Sequence, residues 1–139
     1  MGDTPWLNDP ARLASLRSLS LLDAPPQERF DRVTRLASSI LKTPVALVTL
    51  VDADRQVFAG ACGLPEPWAS TRESPLSHSF CQYVVSQANQ VVIDDARANP
   101  QVGNNLALRE LGIVAYAGVP LTLPDGLTLG SLCAIDRVP

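Results

Sequence analysis

The sequence predicts an α+β domain built on an antiparallel sheet, and three observations carry that prediction. Twelve prolines and eight glycines spread along 139 residues punctuate many short elements. Two N-terminal segments carry apolar residues at helical spacing, whereas the segments after them include β-branched runs of strand length. The turn between the first two of those runs, Asp52-Ala53-Asp54-Arg55, is too short for a crossover, so the pair forms an antiparallel hairpin. The length is one domain's worth of chain, enough for a single core without disulfide staples.

The first helix is expected from Pro10 to Leu22, with Asp9 as N-cap, Pro10 at the first helical position and leucines at 13, 16 and 19. Asp23-Ala24-Pro25-Pro26 breaks it. A second helix follows, with Phe30, Val33, Ala37, Ile40 and Leu41 on one face; Glu28 and Asp31 near its start and Lys42 at its end suit the helix dipole. Pro44 stops it. Val45 to Val51 reads as a central strand covered on both faces, and Gln56 to Cys62 as its hairpin partner. Leu64 to Leu76, with Pro65, Pro67 and Pro75, is expected to be a loop of a length that tends to be functional. A third helix opens at Ser77 to Val85, where Ser79 and Gln82 have capping-box spacing and Ser77 is a rival cap. Then come a short strand Gln90 to Asp94, a loop Asp95 to Gly103, a helix near Asn105 to Leu111 ended by Gly112, a strand Ile113 to Leu121, a turn at Pro124-Asp125-Gly126, and a last strand Leu127 to Ile135.

Composition narrows the function. Eleven Lys and Arg against fourteen Asp and Glu give a net charge of -3, which supplies no basic field for nucleic acid. One histidine and three separated cysteines, Cys62, Cys81 and Cys133, form neither a metal-ligand pattern nor a disulfide framework, and a reducing cytosol suits them. The N-terminus has no secretory pattern and no apolar stretch approaches ~18 residues, so a cytoplasmic chain without membrane contact is expected.

Six phrases carry a family resemblance: Glu28-Arg29-Phe30-Asp31-Arg32, Val45 to Asp52, Ser79-Phe80-Cys81, Val92 to Pro100, Tyr116-Ala117-Gly118-Val119-Pro120-Leu121, and Gly130-Ser131-Leu132-Cys133-Ala134-Ile135-Asp136. In this order they resemble the GAF family of small-molecule sensor domains, in particular the modules ahead of bacterial histidine kinases, diguanylate cyclases and phosphatases, over about residues 26 to 137. The resemblance implies a GAF/PAS-like central five-stranded antiparallel sheet in the order second, first, fifth, fourth, third, with helices on both sides and a pocket between sheet and loops. The last two strands are then expected to be apolar on both faces. The GAF domain is placed at 25–137, with residues 1–24 an N-terminal helix for dimerisation. An output domain is expected to begin near Asp136-Arg137-Val138-Pro139. The function implied is a non-catalytic sensor of bacterial signal transduction, such as a two-component system, passing ligand state through a homodimer interface to that output domain.

The candidate pocket comprises Phe58, His78, Ser79, Phe80, Cys81, Asp95, Asn104, Asn105, Arg109 and Tyr116. Cys81 falls in the first turn of the third helix, where unpaired backbone N–H groups favour a thiolate; the other reading is a small buried apolar residue. His78 is a ligand-binding or pH-sensitive group, or a solvated loop histidine. Asp94 and Asp95 are adjacent carboxylates whose side chains alternate to opposite faces, so they are paired acids or turn caps. Asn104, Asn105 and Arg109 form a polar fringe of amides and a guanidinium, or an ordinary cap and a solvated arginine. Phe58 and Phe80 line the cavity or pack the core, and Tyr116 needs a partner for its hydroxyl if buried. Leu13, Leu16, Leu19 and Leu22 form the dimer stripe or pack on their own sheet.

Other branches of the same family, one of them enzymatic, compete with the sensor reading. A redox sensor or free methionine sulfoxide reductase would use Cys81, but Asp95 to Asn105 lacks the second cysteine of that branch. A bilin photoreceptor has a cysteine followed directly by histidine, and here the order is His78-Ser79-Phe80-Cys81. The cyclic-nucleotide set of that family cannot be assembled, since the only lysine is Lys42. No metal, cofactor or catalytic residue is expected; the partner is an unidentified small molecule.

Overall fold

The computed structural model describes residues 9–19, 22, 28–100, 102, 105–110, 112–124 and 126–138. In chain order the elements are α1 (Pro10–Ser18), α2 (Glu28–Leu41), β1 (Val45–Val51), β2 (Arg55–Cys62), α3 (Trp68–Thr71), β3 (Glu73–Pro75), a 3₁₀ turn (Leu76–His78), α4 (Cys81–Gln87), β4 (Val91–Ile93), a second 3₁₀ turn (Ala96–Ala98), α5 (Ala107–Glu110), β5 (Ala115–Thr122) and β6 (Thr128–Asp136). Asp9 caps α1 through its carboxylate, which accepts from Arg12 N, and Pro10 takes the first helical position. Gly112 follows α5 at φ 69°, the left-handed conformation that a glycine adopts freely.

The strands form one antiparallel sheet in the order β3-β2-β1-β6-β5-β4. The expectation of five strands is therefore corrected to six. The added strand comes from the proline-rich segment expected to be a loop, which also contains α3. Arg72, at φ 59°, ends α3 and turns the chain back along β2, where Arg72 O accepts from Phe58 N. Pro75 fits because β3 lies at the sheet edge, where a missing N–H leaves no ladder bond unmade.

β1 is buried along its whole length, as a strand covered on both faces should be. Its two faces meet different layers. Val45, Leu47 and Val51 join Phe58, Cys133, Ile135, Tyr116 and the α4 residues Cys81, Val84 and Val85 in the main core. Leu50 on the opposite face packs with Leu16 and Leu129 in a much smaller cluster under α1 and α2. A bulge between Val48 and Thr49 leaves Ala59 unpaired on β2, and Gly60 beyond it lets α2 lie on the strand. A Cβ at Gly60 would stand 2.7 Å from Phe30 O.

Two expectations about helix and strand faces are corrected. In α2 the buried residue is Thr34, while Val33, Leu36, Ile40 and Leu41 are exposed. Asp31 sets this rotation by accepting from Ala61 N at 3.0 Å and from Arg72 Nη2 at 3.0 Å, which turns the Phe30, Thr34, Ala37 side toward the sheet. β5 is covered on one face only: Tyr116 and Gly118 are buried, whereas Ala117 and Val119 are exposed. α1 and α2 lie over β1, β2 and β6 and leave the outer side of β5 open.

Candidate functional site

The site is organised by the start of α4. Ser79 Oγ accepts from Gln82 N at 3.1 Å, so Ser79 provides the cap expected of it. The Gln82 amide returns to the same turn, donating to the carbonyls of Leu76 and Ser79 at 2.8 Å each. The rival cap, Ser77, pairs its hydroxyl with His78 Nδ1 at 3.0 Å instead. Asn105 braces the turn from outside, its amide donating to Ser79 O at 2.9 Å and to Tyr83 Oη at 3.0 Å.

This bracing presses Cys81 onto the middle of the sheet. Its Sγ lies 3.8 Å from Cys133 Sγ on β6, and it accepts from Tyr116 Oη on β5 and from Ser131 Oγ on β6, each at 3.2 Å. Tyr116 Oη and Ser131 Oγ are 3.3 Å apart. Thr49 faces Ser131 across the β1–β6 ladder, and its hydroxyl is fully buried without a hydrogen-bond partner of its own. Five polar groups from four elements thus meet in the main core. Gly118 makes room for them: a Cβ there would fall 2.5 Å from Tyr116 Oη, so only a residue without one lets the ring lie across the sheet to reach Cys81.

Hydrogen bonding divides the two thiols. The Cys133 thiol first, then the hydroxyls of Ser131 and Tyr116, stabilise a charge on Cys81 against the cost of burial and bring its pKa from 9.0 down to about 6. Cys133, hydrogen-bonded to Cys81 and itself buried, is raised well above the usual thiol value. Burial first, and then the charge on Cys81, raises the Tyr116 phenol. The cluster titrates as a unit in which Cys81 loses the first proton and Cys133 retains its own. Side-chain donors from β5 and β6 lower the Cys81 pKa.

The remaining candidate residues separate. Phe58 and Phe80 are core residues, with Phe80 against Tyr116 at 5.4 Å between ring centroids. Both belong to the main core that joins the sheet to α4. His78 is buried beside Trp68, ring centroids 5.2 Å apart. Asp95 acts as a cap, accepting from Arg97 N at 3.0 Å and pairing with the Arg97 guanidinium. Asn104 lies outside the described residues, and Arg109 is described only by its place in α5. Leu16 is completely buried against its own sheet and Leu13 and Leu22 pack beside it, leaving Leu19 exposed. An apolar cleft of about 240 Å³ opens on that side, between Leu19, Phe30, Val48, Leu50 and Leu129.

Thr49, Ser131 and Cys133 were not among the candidates from sequence. Their signal was present: Ser131 and Cys133 stand two apart on a strand and share a face, and Thr49 and Ser131 are hydroxyls within otherwise apolar runs. Among the described residues, no three His, Cys, Asp or Glu side chains gather as a metal site, and no helix is long and apolar enough to cross a membrane.

With that geometry in place, comparison with known proteins decides the family. The family model of the GAF domain matches residues 25–139. The chain belongs to the GAF domain family. A cyclic di-GMP phosphodiesterase of Pseudomonas aeruginosa is 36% identical over 141 residues, covering 100% of this chain and 23% of that protein, so the chain spans about a quarter of its relative. Among solved structures, the GAF domain of an Acinetobacter phosphoenolpyruvate-protein phosphotransferase has a TM-score of 0.63 at 16% identity, covering 100% of this chain and 80% of that one. A type II free methionine-R-sulfoxide reductase from Thermoplasma acidophilum has a TM-score of 0.63 at 14% identity, covering 88% and 78%. At such identities these structures establish a shared fold, and this GAF domain places its own polar cluster at the centre of that fold.

Proposed function

We propose that this GAF domain is a non-catalytic sensor that binds a small molecule and, as a homodimer, regulates an output domain in a bacterial signalling protein. The observation that carries the reading is the polar cluster sealed beneath α4. Buried hydroxyls and thiols cost stability wherever apolar side chains would pack as well, and here they tie the position of α4 to the chemistry of what lies under it. A ligand that favours one placement of α4 shifts the population toward it by its difference in affinity between the two.

The relative named as a cyclic di-GMP phosphodiesterase supports turnover of that nucleotide as the regulated activity, residing in chain outside these 139 residues. Dimerisation would use the apolar residues that α2 presents outward. The test is native mass spectrometry of gently purified protein together with light scattering. A co-purifying small molecule and a mass twice that of the chain are expected; an empty monomer would overturn the reading. Free methionine sulfoxide is expected not to be turned over, and turnover lost in Cys81→Ser would replace the sensor with a reductase.

A further inference from the structure

We propose that Cys81 and Cys133 are an oxidisable pair that peroxide converts to a disulfide stapling the first turn of α4 to β6. The pairing is a property of the fold: residues 52 positions apart in sequence bring their sulfurs to 3.8 Å inside the main core. A disulfide needs about 2.05 Å, so closing the gap takes a movement of under about 2 Å, shared between two side chains and the start of a short helix. The third cysteine, Cys62, sits at the end of β2, away from this cluster, and is half-buried.

The surroundings assign the two sulfurs different parts. Tyr116 Oη and Ser131 Oγ both donate to Cys81 Sγ, which prepares that sulfur as the nucleophile. In the first step the Cys81 thiolate attacks one peroxide oxygen. The S–O bond forms, the O–O bond breaks, and the departing hydroxide takes a proton to leave as water, giving a sulfenic acid on Cys81. In the second step Cys133 Sγ attacks the Cys81 sulfur. The S–S bond forms, the S–O bond breaks, and the hydroxide leaves as water with the proton released by Cys133. Two thiols have then lost two electrons and two protons, and one peroxide has become two waters.

The depressed pKa of Cys81 and the retained proton of Cys133 agree with this division of labour. Both sulfurs are covered, at 3% and 2% exposure. The oxidant must therefore be small and uncharged, as hydrogen peroxide is, and the reaction waits on local opening of α4, an element of seven residues. Closure abolishes the thiolate that Tyr116 and Ser131 solvate and fixes α4 to the sheet, which makes oxidation an input at the same element as the proposed ligand signal. The proposal does not depend on a ligand: a protein with no bound molecule can still oxidise, and one that fails to oxidise can still bind.

The experiment is peroxide treatment of the whole chain, quenching, alkylation under denaturing conditions and peptide mass mapping. A Cys81–Cys133 linked peptide that has lost two hydrogens is expected, with Cys62 alkylated, and the same link is expected in Cys62→Ser. In Cys133→Ala the reaction should stop at a sulfenic acid on Cys81 that a 1,3-dione reagent traps. Complete alkylation of both Cys81 and Cys133 in treated wild type would overturn the proposal. So would a sulfenic or sulfinic acid on Cys81 without the link, or a link formed only through Cys62. Should Cys133→Ala fail to fold, the wild-type map decides by itself.

Discussion

The Tyr116 hydroxyl ends 3.2 Å from Cys81 Sγ and 3.3 Å from Ser131 Oγ, and removing it is the smallest change that tests the cluster. Tyr116→Phe deletes one donor to the Cys81 thiolate while keeping the ring, so the Cys81 pKa should rise above about 6. Ultraviolet thiolate absorbance against pH reads this directly; an unchanged midpoint would mean that Tyr116 does not support the charge. The same group links pH to stability. Cys81 releases its proton at lower pH in the folded chain than in the unfolded one, so between about 6 and 9.0 the unfolded state binds more protons. Its contribution to stability is therefore fully present above that window and is lost as pH falls through about 6. Cys133 and Tyr116 are raised and act oppositely, withdrawing stability as pH climbs past their ordinary values. The stability difference between wild type and Cys81→Ser, measured by denaturant unfolding, should increase from pH 6 to pH 9. A flat difference would refute it. Gly118→Ala tests the space the ring needs: its Cβ would meet Tyr116 Oη at 2.5 Å, and displacing the ring should cost about 1–3 kcal/mol and raise the Cys81 pKa together.

At the scale of elements, α4 is short and depends on its cap. Ser79→Ala removes the acceptor for Gln82 N and should cost ~1 kcal/mol, with faster hydrogen exchange confined to residues 81–87; a change spread over the whole sheet would contradict a local role. This cap was legible in the sequence because Ser79 and Gln82 are three residues apart and the bond is local. The order of helices and strands was legible for the same reason, through periodicity and punctuation. Long-range facts were less so. Cys81 was identified, but its partners stand 35, 50 and 52 positions away, and their meeting depends on strand register that pattern alone does not specify. The rotation of α2 was hidden too. The apolar positions of that helix cover more than one face, and the deciding contact is Asp31 with Ala61 N and Arg72, 30 and 41 residues on. β3 escaped because prolines signal a loop unless the strand is known to lie at an edge.

The molecule as a whole is asymmetric: its large core lies between the sheet and α4, and the layer under α1 and α2 is thin. α1 is nonetheless fixed, since the buried Arg12 guanidinium donates to Val51 O at 2.7 Å and Arg17 reaches Asp52 at 3.8 Å. Among the described residues, the outer side of α2 is one surface without a covering layer, and there Val33, Leu36 and Ile40 recur at helical spacing with exposures of 42%, 60% and 68%. A stripe of that kind would gain ~1.5–3 kcal/mol per large side chain on full burial, and in the proposed homodimer a second copy of the same helix would supply the matching surface. Leu36→Glu with Ile40→Glu places two carboxylates where the copies would meet. Since both side chains are already exposed in one chain, folding stability should change little, within about 0.5 kcal/mol per site, while light scattering should move from a dimer to a monomer. A wild type that is monomeric at every concentration, or a double variant that remains dimeric, would remove α2 as the proposed dimer surface.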